Sequence, residues 1–266
     1  MNPEVIIGSD LQSLGELQPD GWPDIIPSFE FYISSPFCNP VKIITEDRVA
    51  GIGAGNTFGK TGWLSHIITL PEFRNRGIAG SIVDHLLNKL KNSGCGTISL
   101  IATEYGYPVY KKAGFTIQSE YSFFERKKTF KNIFQSDKIV RFADIYRDDV
   151  IALDKKISGE DRSCLLIDKL KNSYVYLEDN RISGYYLPGL GEGLIIADNS
   201  EAGIELLRLR CSLSAYTVLP YENNDGISFL KNQGYIETRR VKRMIFGEEF
   251  EWHPEKLFSR IAGNFG

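Results

Sequence analysis

Trp63-Leu64-Ser65-His66-Ile67-Ile68-Thr69-Leu70, followed by Pro71-Glu72-Phe73 and then Arg74-Asn75-Arg76-Gly77-Ile78-Ala79-Gly80, sets the frame for the rest of the chain. The apolar run reads as a strand, the basic glycine-bearing segment as a turn. Beyond Gly77, Ile82, Val83, Leu86, Leu87 and Leu90 recur at three- and four-residue steps, the spacing of an amphipathic helix with one buried face. That helix opens out of the turn. Its first-turn N–H groups have no partners inside the helix, and with the positive end of the helix dipole they make a place for phosphate oxygens. Gly77, Ala79 and Gly80 keep side-chain bulk away, and Arg74 and Arg76 add charge. The turn reads as a pyrophosphate cradle.

Two other phosphate-binding patterns are excluded. No Gly-Lys-Ser/Thr follows, as a P-loop requires, and the glycines lack the Gly-x-Gly-x-x-Gly spacing of a dinucleotide fold. What stands is Arg-x-x-Gly-x-Ala, Arg74 to Ala79, after a strand and a proline. It resembles the acetyl-CoA-binding motif of the GNAT (GCN5-related) N-acetyltransferases. A strand, Thr97 to Ala102, comes next, and then Tyr110-Lys111-Lys112-Ala113-Gly114-Phe115, similar to the second GNAT signature, Tyr-x-x-x-Gly-Phe. The resemblance covers Val5 to Arg126. The sequence departs from the family after the Thr97–Ala102 strand, where many members carry asparagine and this chain has Thr103 and Glu104.

Composition narrows the class. A 266-residue chain with 42% hydrophobic and 24% charged residues fits a soluble globular protein of one large or two ordinary domains. No apolar run approaches roughly eighteen residues, and Met1-Asn2-Pro3-Glu4 is no export signal, so a cytoplasmic location and no membrane partner are expected. A formal charge of −3 gives no electrostatic support for nucleic-acid binding. Cys38, Cys95, Cys164, Cys211, His66, His85 and His253 are scattered, which argues against disulfides and against a metal site.

The remaining first half reads as a short strand at Val5–Ile7, then short helices and turns broken by Pro19, Pro23, Pro27 and Pro36. The aromatics there, Trp22, Phe29, Phe31, Tyr32 and Phe37, form a substrate wall or core. A hairpin follows, Val41–Thr45 with Val49–Ala54, in which Gly51, Gly53 and Gly55 mark a bulge or close backbone approach. The second half repeats this grammar. Glu178-Asp179-Asn180-Arg181-Ile182-Ser183-Gly184 is nearly a copy of Glu46-Asp47-Arg48-Val49-Ala50-Gly51, and Gln233-Gly234-Tyr235 ends a helix as Ala113-Gly114-Phe115 does. The repeat points to a duplication, with a boundary in the polar stretch 131–137. The copy lacks the cradle: Glu192, Asp198 and Glu201 would repel pyrophosphate, Asp198 or Ser200 reads as an N-cap, and Leu230 stands in the place of Tyr110. The tail, Pro254 to Ala262, reads as a helix.

The predicted architecture is α/β: two tandem GNAT-like domains, each a mixed, mostly antiparallel twisted sheet flanked by helices. Residues 1–130 would be the catalytic domain and 138–266 a degenerate one with a C-terminal tail, a layout similar to bacterial two-domain GNAT proteins of the YitH type. Cut near Lys131, the first half is expected to keep cofactor binding.

The resemblance implies direct attack of a primary amine, on a small molecule or peptide, upon acetyl-CoA, in a monomer or homodimer. Ile67, Ile68 and Thr69 would line the pantetheine arm, and Arg74, Asn75, Arg76, Gly77, Ile78, Ala79 and Gly80 would hold the pyrophosphate. A main-chain N–H near Ile68 or Thr69 would face the thioester oxygen. Tyr110, with an ordinary pKa of about 10, would be the acid for the departing thiolate. The proton acceptor stays open among His66, Glu104 and water. Strand alternation puts Trp63, Ser65, Ile67 and Thr69 on one face and His66 with Ile68 on the other, which makes His66 core if the first face looks into the site. An acyl-CoA-binding regulatory protein without turnover is the alternative; it would need the cradle but not Tyr110.

Overall fold

The computed structural model describes residues 2–127 and 136–266. They form two compact units, Met1–Ile117 with Met244–Glu248 and Gly263–Phe265, and Gln118–Arg243 with Glu249–Ala262 and Gly266. These bounds do not coincide with 1–130 and 138–266, and of the boundary stretch 131–137, residues 131–135 lie outside the described residues.

The first unit begins with β1 (Glu4–Val5), a 3-10 turn, α1 (Leu11–Leu14) and, beyond the prolines, α2 (Ile26–Ser34). Pro27 lies in the first turn of α2, where its missing N–H breaks no helical bond. β2 (Cys38–Thr45) and β3 (Arg48–Phe58) form an antiparallel hairpin. Its turn residues Glu46 and Asp47 have φ +53° and +56°, the left-handed pair that matches the twist of the flanking strands. Then come β4 (Thr61–Thr69), α3 (Ile78–Asn92), β5 (Thr97–Ala102) and α4 (Tyr107–Lys112).

Among the described residues, this unit's sheet runs β1-β2-β3-β4-β5 and is continued beyond β5 by the segment that includes Met244. There Glu248 N–H donates to the Gly96 carbonyl at 3.2 Å, and the Phe246 ring lies 5.7 Å from that of Phe115. The first unit therefore takes its last strand from the far end of the chain. A fragment ending near Lys131 would lack that segment.

α3 lies on β3 and β4 because three glycines let it come close. A Cβ on Gly51 would stand 2.5 Å from Ile78 Cγ2, one on Gly53 would stand 2.7 Å from Ile82 Cγ2, and one on Gly55 would stand 3.3 Å from Leu86 Cδ2. The helix buries Ile78, Ile82, Val83, Leu86, Leu87 and Leu90, each worth about 1.5–3 kcal/mol relative to exposure. The helix face and the function of the β3 glycines agree with the sequence reading.

The second unit holds β6 (Thr116–Glu125) almost entirely, then β7 (Ile139–Arg141), α5 (Arg147–Ser158), α6 (Ser163–Leu166), β8 (Tyr174–Glu178), β9 (Arg181–Leu187), β10 (Leu194–Ala197), α7 (Ser200–Leu213), β11 (Tyr216–Pro220), α8 (Asn224–Asn232), most of β12 (Ile236–Gly247) and β13 (Leu257–Ser259). Its strands lie in the orders β12-β6-β11 and β13-β10-β9-β8-β7. The tail is not helical as expected. After one 3-10 turn, β13 pairs antiparallel with β10 and Phe258 packs where Gly203 leaves space, so sheet pairing overrides a pattern that also fits a helix.

The two stretches that the sequence reading pairs share backbone detail. Asp179 and Asn180 have φ +48° and +60°, as Glu46 and Asp47 do. Each hairpin carries one bulge at the same step, at Ala50 in β3 opposite Ile43 and Ile44 and at Ser183 in β9 opposite Tyr176 and Leu177. Phe115 N–H donates to the Tyr110 carbonyl and Tyr235 N–H to the Leu230 carbonyl, both at 3.0 Å, over left-handed Gly114 and Gly234. Leu230 does stand where Tyr110 stands. The predicted N-cap is corrected: Asn199, not Asp198 or Ser200, caps α7, its Oδ1 accepting from Ala202 N–H at 2.9 Å.

Candidate active site

β4 pairs in parallel with β5 only at Thr61, Gly62 and Trp63, opposite Thr97, Ile98 and Ser99. Past that point the two strands part, and one edge of β4 is left without a strand neighbour. A bulge in β4 accompanies the parting: opposite β3 the register slips between Ile52 and Ala54, and His66 takes φ +50°. On the paired edge Leu70 N–H donates to the Ala50 carbonyl at 2.9 Å. Alternation from Leu70 sends the main-chain groups of Ile68 the same way and those of Ile67 and Thr69 to the open edge. Of the two predicted main-chain donors, this favours Thr69 over Ile68. The Thr69 hydroxyl oxygen is buried and makes no hydrogen bond among the described residues.

The bulge also breaks the alternation assumed for the side chains. Ser65 and His66, adjacent in sequence, both turn to the α2 side, while Ile67 lies where a Cβ on Gly53 would come within 2.6 Å of its Cδ1. His66 Nδ1 is 2.7 Å from the Tyr32 hydroxyl oxygen, and the ring lies near those of Trp22, Phe29 and Tyr32 at 6.1, 5.8 and 5.6 Å. Burial among them pushes its pKa down to about 4, so the imidazole is neutral near pH 7. The aromatics read as wall or core do cluster, and the group extends to Phe265, whose ring is 5.9 Å from Phe31 and 6.1 Å from Tyr32. Neither Asn264 nor Phe265 carries any local signal that would have placed it here.

At the far end of β4 the chain makes a 3-10 turn, Pro71–Phe73, and enters α3 through left-handed Asn75 (φ +63°) and Gly77 (φ +83°). Gly77 is the N-cap and has no side chain to close the first turn. Ser81 N–H is the first to reach back, to the Gly77 carbonyl at 3.0 Å, so those of Ile78, Ala79 and Gly80 stand outside the helical ladder. A Cβ built on Gly77 or Gly80 would meet no atom within 4 Å. The approach is open. Arg74 lies over the Tyr105 ring at 5.7 Å; Arg76 lies over Phe73 at 4.9 Å and pairs with Glu46 at 2.7 Å, both partners being exposed.

Tyr110 is buried in α4, its ring 6.0 Å from that of Phe115, and burial pushes its hydroxyl above the usual tyrosine range. Glu104 is exposed, while Thr103 bonds through Oγ1 to Gly106 N–H at 3.1 Å. Among the described residues no group of three His, Cys, Asp or Glu side chains is placed to hold a metal, and no helix is long and apolar enough to cross a membrane.

Residues 11–115 match the acetyltransferase (GNAT) family. The match includes the cradle and Tyr110. Solved structures extend the fold likeness to the rest of the chain. A Pyrococcus horikoshii protein assigned as an acetyltransferase superposes with a TM-score of 0.83 at 20% identity, over 99% of this chain and 95% of its own. A GCN5-related N-acetyltransferase from Sphaerobacter thermophilus gives 0.64 at 10% identity, over 92% and 95%. Another, from Anabaena variabilis, gives 0.57 at 13%, over 92% and 72%. At these identities they establish a shared GNAT fold. No curated protein matches the chain in sequence.

Proposed function

We propose that the chain is an acetyl-CoA-dependent N-acetyltransferase of the two-domain YitH-like type, acting on a primary amine of a small molecule or peptide. The uncapped first turn of α3 carries this reading, opening where β4 has left β5. The N–H groups of Ile78, Ala79 and Gly80, with Asn75, Arg74 and Arg76, would hold the pyrophosphate. The open edge of β4 at Ile67 and Thr69, and the partnerless Thr69 hydroxyl beside it, fit an extended arm rich in amides.

In the reaction the amine nitrogen bonds to the thioester carbon, the oxygen takes up charge, and the C–S bond then breaks. Thr69 N–H is the donor proposed for that oxygen. Tyr110 keeps its proton throughout the neutral range and donates to sulfur as charge develops there. The proton leaving nitrogen passes to water, because Glu104 is solvated and His66 is already hydrogen-bonded at Nδ1. Residues 138–266 would be a degenerate copy that binds no cofactor. There Asn199 Oδ1 occupies the end of α7 that Gly77 leaves free in α3, and Leu230 replaces the acid.

The test is coenzyme A release from acetyl-CoA in the presence of a panel of primary amines and peptides, with Tyr110→Phe in parallel. Amine-dependent release that the variant lowers supports transfer. Release by no amine, with acetyl-CoA still bound, would leave a binding protein.

A further inference from the structure

We infer that His66 is a fixed hydrogen-bond donor for an uncharged oxygen of the acceptor molecule rather than the base, and that Asn264, acting through Tyr32, fixes it. The role given to the acceptor rests on the transfer reading above; the state of the ring does not. Asn264 Nδ2 lies 2.8 Å from the Tyr32 hydroxyl oxygen. An amide nitrogen has only hydrogens to give, so Tyr32 accepts from it and must direct its own proton elsewhere. Ser65 also lies beside that oxygen, but the partner in short hydrogen-bond contact with it is His66 Nδ1, at 2.7 Å. Nδ1 is thereby an acceptor, and a neutral ring that accepts at Nδ1 carries its proton at Nε2.

Ser65 Oγ accepts from Asn56 Nδ2 at 2.7 Å and donates to the Asn264 main-chain carbonyl at 2.8 Å, which holds the residue in place from the same stretch of β4. Asn56 is buried, so this anchor is shielded from water. Nε2 makes no hydrogen bond among the described residues, and the ring is half-buried rather than enclosed. Trp22, itself 41% exposed, stands at the open side of the aromatic group.

A ligand here meets one N–H donor set among aromatic rings, with no carboxylate in the hydrogen-bonded chain. A carbonyl oxygen answers that donor; an ammonium group, which has only hydrogens to offer, does not. The acceptor class that fits is an amine that also bears an amide carbonyl, as peptides and amino-acid amides do. Its carbonyl would lie at His66 and its nitrogen would be free for the thioester. A base role would need an unprotonated Nε2, which this arrangement denies.

The test is nitrogen NMR of the full chain labelled in histidine, read through the couplings of ring nitrogens to ring hydrogens, which separate the two tautomers. His66 is expected as the Nε2–H form alone. Asn264→Asp replaces a donor by a group that only accepts, so Tyr32 turns to it and His66 should switch to the Nδ1–H form; Tyr32→Phe, which removes the link, should give a mixture. N-methylacetamide should shift the His66 Nε2–H signal and methylammonium should not. A wild-type Nδ1–H form, an unchanged tautomer in Asn264→Asp, or a response to methylammonium alone would overturn the inference. Calorimetry with acetyl-CoA on the same samples reports separately on the cofactor reading, since none of these residues belongs to the cradle.

Discussion

A Cβ on Gly106 would stand 2.7 Å from Cε2 of Tyr110, so the ring of the proposed acid rests against a residue with no side chain. Gly106 has ordinary right-handed backbone angles, φ −79° and ψ −29°, and contact alone excludes a larger residue there. Gly106→Ala should therefore push the ring aside, with a loss of about 1–3 kcal/mol in a denaturant titration. Turnover should fall in the same direction as in Tyr110→Phe, for which a drop of about a hundredfold or more is expected at little change in the KM for acetyl-CoA. In the double variant kcat should fall no further than in Tyr110→Phe alone, because both changes remove the same group.

Glu46 competes with the proposed ligand for Arg76. Their pair, at 2.7 Å with both side chains more than half exposed, must be exchanged when a pyrophosphate arrives. Exposed pairs are worth about 0.2–1 kcal/mol, so Glu46→Gln should tighten acetyl-CoA binding by up to about fivefold, and less at high salt. Weaker binding in Glu46→Gln would show that Glu46 orients Arg76 rather than withholding it.

His66 should leave a signature in acid. Its pKa in the fold is about 4, against about 6.5 in the unfolded chain, so between these values the unfolded chain holds a proton that the fold does not. The stability concerned is fully present above pH 6.5 and is lost as pH falls toward 4. Between pH 7 and 5 the wild type should lose about 1–2 kcal/mol more than His66→Phe does, as read from urea midpoints at the two values. Equal losses would mean that the ring titrates normally.

A fragment ending at residue 130 should not form a stable first unit, because Met244–Glu248 and Gly263–Phe265 are missing from it. Met244 and Ile245 are buried in the intact chain, and without them the exposed side of β5 presents unpaired backbone groups. The fragment is expected to bind a hydrophobic dye and to show no cooperative thermal transition. A sharp transition near that of the whole chain would contradict this.

The parts that were legible in the sequence are those whose physics is local. The glycine-bearing turn from Arg74 to Gly80 and the helix after it follow from spacing within about twenty residues, as does the cap at Gly114. The repeat of Glu46–Gly51 in Glu178–Gly184 reappears as the same left-handed turn and the same bulge. What escaped depends on distant partners. Nothing in Trp63–Thr69 marks His66 as the bulge residue, because the register slip is a property of its pairing with β3. Asn264 meets Ser65 across 199 positions. Leu257, Phe258 and Ile261 fit a helix face as well as a strand, and only pairing with the edge of β10 decides between them. Asp198, Asn199 and Ser200 are all good N-cap residues, and only the structure shows that Asn199 is the one that caps α7.

Titration calorimetry of acetyl-CoA into the full chain tests the central claim most directly, beside a variant with Arg74→Ala, Arg76→Ala and Gly77→Glu that keeps the same thermal transition. One saturable site that the variant loses is the predicted result, since a carboxylate at the open first turn of α3 would occupy the place of the pyrophosphate. Heat of binding that is unchanged in the variant, or no binding to the wild type, would contradict the assignment of the cradle.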